Sequence, residues 1–135
     1  MNAVDTNVLA RFFVVDPEDA ESKKQHPAAV RAMSEKVFVS ASVVLEFEWV
    51  LRGFYEFPKA QIGRILEALC GLENVHLENR GKILSAMNGY QMGIDFADAL
   101  HLASASSCDF FHSFDQRLKK RAKALSVTPG VQLPM

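Results

Sequence analysis

The stretch Val37-Phe38-Val39-Ser40-Ala41-Ser42-Val43-Val44-Leu45-Glu46-Phe47-Glu48-Trp49-Val50-Leu51-Arg52 decides the fold class. Val37-Phe38-Val39 is a β-branched and aromatic run, which predicts a strand. Ser40 or Ser42 can cap a helix running through about Tyr55, because a serine oxygen there accepts a first-turn N–H. A strand that passes straight into a helix is the unit of an α/β fold. The rest of the chain repeats it. Toward the N-terminus, Ala3-Val4 is a strand stub, Asn7 to Val15 has helical spacing, and Asp19 to Lys36 reads as a surface helix that Pro27 should kink or restart. Toward the C-terminus, Pro58 opens a helix that Gly71 ends, and Val75-His76-Leu77 is a strand. Gly81 to Tyr90 and Asp95 to Ser107 read as helices, Phe110-Phe111-His112 as a strand and Asp115 to Leu125 as a basic helix. Val131 to Leu133 can add a last strand after the Pro129-Gly130 turn. The alternation predicts one α/β domain over residues 1–135, with a mostly parallel sheet of four to five short strands flanked by helices.

Composition narrows the class. The 135 residues are 49% hydrophobic and 23% charged, enough to bury a core and unlike a disordered chain. A net charge of -1 excludes nucleic-acid binding by bulk charge alone, while local patches stay open. The apolar runs fall far short of the ~20 residues that span a bilayer. No secretory leader pattern opens the chain, so a cytoplasmic protein is expected. Cys70 and Cys108 make no metal-ligand pattern and read as reduced thiols in apolar, buried contexts. No Gly-rich phosphate loop is present, and no Ser-His-Asp or Cys-His set can be argued.

In open α/β sheets chemistry sits beyond the carboxyl ends of strands. Asp5 follows the first strand and Asp115 follows Phe110-Phe111-His112. Glu46 and Asp98 stand in apolar helical surroundings, where an unpaired buried carboxylate would cost several kcal/mol. Gathered in one cleft, such acids repel one another unless a divalent cation neutralises them, and all-oxygen ligands suit Mg²⁺ or Mn²⁺. The chemistry that follows is hydrolysis at phosphorus. A plainer reading stands beside this: Asp5 and Asp115 as helix caps, Glu46 and Glu48 on a solvated face, Asp95 and Asp98 as charges suited to a helix N-terminus. Spacing alone does not bring four distant acids together.

Four segments, in order, resemble the motifs of PIN-domain ribonucleases. They are Ala3-Val4-Asp5-Thr6-Asn7-Val8-Leu9, the stretch from Val39 to Arg52, Asp95-Phe96-Ala97-Asp98-Ala99-Leu100-His101-Leu102-Ala103, and Phe111-His112-Ser113-Phe114-Asp115-Gln116-Arg117-Leu118. The length suits the VapC-type toxins of bacterial toxin–antitoxin pairs. The resemblance implies a PIN-like three-layer sandwich with the first and fourth strands adjacent. It implies an acidic site of Asp5, Glu46, Asp98 and Asp115, with Asp5 and Asp98 as direct metal ligands. Glu46 would bind metal directly or through water, or help activate the attacking water, and Asp115 would hold a second metal or its water shell. Asn7, Ser113 and Thr6 become supporting polar groups, and Asp95 an N-cap or outer ligand. It implies a Mg²⁺- or Mn²⁺-dependent endoribonuclease that inhibits translation, with an RNA substrate, a cognate antitoxin and a homodimeric state, and no membrane.

The basic run Arg117, Lys119, Lys120, Arg121 and Lys123 is either a solvated helix face or a contact for RNA phosphates beside the acids. Arg11 and Arg52 are further candidates for that contact. Trp49 and Phe54 are expected in a core or a subunit interface, and His101 packed or partly exposed. Two rival functions follow from the same residues. One is a non-catalytic PIN-like domain that binds RNA or protein. The other is a phosphatase with Asp5 as nucleophile, although Asn7 stands where that chemistry wants a second acid.

Overall fold

The computed structural model describes residues 1–134. Its elements alternate as the sequence predicts: β1(Asn2–Ala3), α1(Thr6–Phe13), α2(Ala20–Met33), β2(Val37–Val39), α3(Ala41–Gly53), α4(Lys59–Gly71), β3(Val75–Leu77), α5(Arg80–Gln91), α6(Phe96–Ser104), β4(Phe110–His112), α7(Gln116–Ala124) and β5(Gly130–Gln132). Every strand pairing is parallel, as an α/β fold requires. By contact the chain falls into two compact units, one up to Arg80 and one from Gly81 onward.

In the first unit the strand order is β1-β2-β3, with Phe38 opposite Ala3 on one side and His76 on the other. Val37 and Val39 are buried, and α3 packs against α1 and α4. The unit buries Leu9, Phe47, Leu51, Leu66 and Leu69, so the apolar faces of α1, α3 and α4 share one core. Ser40 caps α3 by accepting a hydrogen bond from the Val43 N–H at 3.2 Å, one of the two serines expected for the role. Pro27 lies inside α2, which continues through it as one helix instead of restarting. Pro27 and Lys23 are both exposed, so water can take the Lys23 carbonyl that a prolyl nitrogen leaves unpaired.

In the second unit β4 pairs with β5, Phe110 opposite Gly130 and His112 opposite Gln132. Phe96, Ile83 and Leu102 are its most buried large side chains. Helix α5 ends in a Schellman arrangement: Gly93 N–H donates to the Tyr90 carbonyl and Ile94 N–H to the Gly89 carbonyl. The reversal needs a left-handed residue, and Gly93 supplies it at φ 103°. Helix α6 stops at Ser104, short of the predicted Ser107, where serines favour turns over helix. The first strand belongs to one unit and the fourth to the other.

Candidate active site

Asp5 caps α1 in the first unit. Its backbone is extended and Oδ1 accepts the Val8 N–H at 3.1 Å. Among the described residues its second carboxylate oxygen has no partner, so capping orients the group without using it up. Thr6 beside it is 4% exposed, and its hydroxyl is buried without a hydrogen-bond partner. Asn7 is exposed. Glu46 stands on the exposed face of α3 and Glu48 on the buried one, as two steps of about 100° on a helix dictate. Glu48, 2% exposed, pairs with Arg52 through Nε–Oε2 at 3.0 Å and Nη2–Oε1 at 3.4 Å. The solvated face considered for Glu48 is therefore corrected, and the Glu-x-x-x-Arg spacing was the available signal. Glu78, which the sequence reading passed over, follows β3 and accepts the Ala41 N–H at 2.9 Å. Together with Ser40 it pins the start of the helix that carries Glu46.

The second unit carries the other acids. Asp115 caps α7, its Oδ1 accepting the Leu118 N–H at 3.0 Å, while Ser113 Oγ accepts the Asp115 N–H at 3.0 Å. Ser113 thus supports Asp115 directly. Asp95 occupies the N-cap of α6 but makes no side-chain cap bond, leaving its carboxylate outward. Asp98, half-buried one turn on, is held above the ordinary carboxylate range. Desolvation is the largest cause; Asp95 and then Asp115 add to it, and His101 opposes it. Asp95 and Asp115 therefore both lie within electrostatic reach of Asp98. A hard divalent cation relieves this kind of repulsion, and the donors present are all carboxylate oxygens, which suit one. Among the described residues no three His, Cys, Asp or Glu side chains already close around an ion position.

The remaining candidates divide. Arg117, Lys119, Lys120 and Arg121 line α7 around its buried Leu118 and Ala122. Arg11 is engaged by Gln25 at 2.8 Å and by the Tyr55 hydroxyl at 3.3 Å, and Arg52 by Glu48, so both have structural work. His101 is exposed, as are Trp49 and Phe54. Cys70 is buried as expected, and burial pushes its thiol up. Cys108 is exposed, against the expectation, because it lies in the turn after α6 instead of on a helix. A cavity of about 290 Å³ in the second unit, lined by Ser85, Asn88, Met92, Leu102 and Thr128 among others, includes none of the candidate acids.

The PIN domain family model matches residues 3–124. A VapC ribonuclease of Aquifex aeolicus (strain VF5) is 27% identical over 124 residues, an alignment covering 89% of this chain and 91% of that protein. Asp5, Glu46, Asp98 and Asp115 all fall inside the matched family span.

Proposed function

The chain belongs to the PIN domain family, and from that membership we propose that it is a metal-dependent endoribonuclease, the toxin of a VapBC-type toxin–antitoxin pair. The observation that carries the reading is the family match over residues 3–124, a span that includes Asp5, Glu46, Asp98 and Asp115. The raised Asp98 pKa, to which desolvation contributes most and the neighbouring Asp95 and Asp115 charges add, supports it. We read residues 1–135 as one nuclease domain.

In this reading Asp5 and Asp98 hold Mg²⁺ or Mn²⁺, and Asp115 holds a second ion or its water shell. Such an ion, when bound, supplies an acidified water and stabilises charge on phosphate oxygens. Glu46, exposed and with no partner among the described residues, is a metal ligand or accepts the proton of the attacking water. Ser113 and the cap bonds of Asp5 and Asp115 fix carboxylate orientation, and Thr6, Asn7 and Asp95 are supporting polar groups. Water adds to phosphorus as the P–O3′ bond breaks, leaving a 3′-hydroxyl and a 5′-phosphate. Arg117, Lys119, Lys120 and Arg121 contact the RNA backbone.

A cognate antitoxin and a second copy of the chain are the expected partners, with the exposed Trp49 and Phe54 as apolar surface available to one of them. Among the described residues no helix is long and apolar enough to cross a membrane, and we place the protein in the cytoplasm. The test is cleavage of structured RNA with Mg²⁺ or Mn²⁺ against chelator, comparing wild type with Asp5→Asn and Asp98→Asn. Metal-dependent cleavage that both substitutions abolish is expected. Undiminished cleavage by the variants would remove the mechanism, and RNA binding that survives chelation without any cleavage would favour the non-catalytic reading.

A further inference from the structure

Gly93 turns the chain from α5 into α6 with φ 103°, between the exposed Met92 and the buried Ile94. A Cβ added there would lie 2.6 Å from an Arg121 Nη atom and 3.3 Å from the Arg121 Cζ. The guanidinium of Arg121 therefore rests directly on the bare backbone of Gly93. Among the described residues it has no hydrogen-bond or ion-pair partner, unlike Arg11 and Arg52, and it is exposed. Among the described residues nothing neutralises the cation that lies beside Gly93. Asp95 begins two residues after Gly93, a span of at most about 7 Å. The guanidinium thus stands one short step from the end of α6 that carries Asp95 and Asp98.

We propose that Arg121, seated on Gly93, binds a backbone phosphate of the RNA next to the one cleaved. The proposal rests on the endoribonuclease reading and names one residue of the basic run for the task. A fork of fixed N–H donors matches a phosphate better than a lysine ammonium does. A pre-positioned cation also offsets the repulsion that clustered carboxylates exert on an incoming polyanion. The competing account is purely structural: a cation near the C-terminal end of α5 is favourable in its own right. It predicts a change in stability and none in the salt dependence of RNA binding.

The experiment uses the full chain carrying Asp98→Asn, which blocks cleavage, with a fluorescein-labelled oligouridylate titrated over a range of KCl. Adding Arg121→Gln should weaken binding about tenfold at low salt. It should also lower the slope of log affinity against log salt by about 0.7, one phosphate contact's worth for a single strand. Arg121→Lys should keep the slope, and Lys24→Gln, which removes one charge from α2, should leave it unchanged. Melting temperatures of all variants separate folding from contact. An unaltered slope in Arg121→Gln overturns the proposal while the nuclease reading stands. A parent protein with no salt-dependent binding overturns both.

Discussion

At neutral pH the Asp98 carboxylate sits where desolvation, Asp95 and Asp115 all disfavour its charge. Its folded pKa lies above the unfolded value, so the native state holds the proton more tightly. Stability from this group is therefore lowest above the folded pKa and rises as pH falls through it toward the ordinary value. Asp98→Asn should then melt higher than wild type near neutral pH, lose the difference in mildly acidic buffer, and have no cleavage activity. Melting curves across that pH range check it; equal stability at neutral pH would contradict the repulsion. Asp5→Asn is the cleaner probe of chemistry, because asparagine caps a helix as well as aspartate does. Asp5 and Asp115 were legible as acids after strands, and the structure shows the cap role weighed beside function for each. One oxygen serves the helix in each case. The Glu48–Arg52 pair and the exposure of Cys108 were not read, because burial depends on which helix face meets the core and where a helix stops.

Helix termini are where individual elements can be tested. Gly93→Ala combines a left-handed backbone with a Cβ placed against Arg121, and should cost about 1 kcal/mol or more. Gly63 lies inside α4 with nothing within 4 Å of an added Cβ, so Gly63→Ala should stabilise by roughly 0.5–1 kcal/mol. Urea unfolding of the two variants should shift in opposite directions. Strands β2, β3 and β4 were legible because Val37-Phe38-Val39, Val75-His76-Leu77 and Phe110-Phe111-His112 are short, largely apolar runs bounded by turn or cap residues. The course of α2 through Pro27 was not, since a solvated carbonyl can tolerate the missing donor.

For the molecule as a whole, a bound cation that neutralises the acids must stabilise the fold by mass action. The melting temperature of wild type should rise with Mg²⁺ or Mn²⁺ concentration, and Asp98→Asn should blunt the rise. A flat response in wild type would argue against the metal reading. Spacing alone could not join acids from positions 5, 46, 98 and 115, because each strand pairing closes a long stretch of chain that local pattern does not encode. Only the motif resemblance proposes that link.

The family match ends at residue 124, yet among the described residues β5 at Gly130–Gln132 is the strand that pairs with β4, and the Gln132 carbonyl also accepts the Ser113 N–H at 3.0 Å. Anyone trimming the gene to the matched span would leave an unzipped edge immediately ahead of Asp115. Such a shortened protein would lose activity for want of a neighbour strand, with every carboxylate still in place.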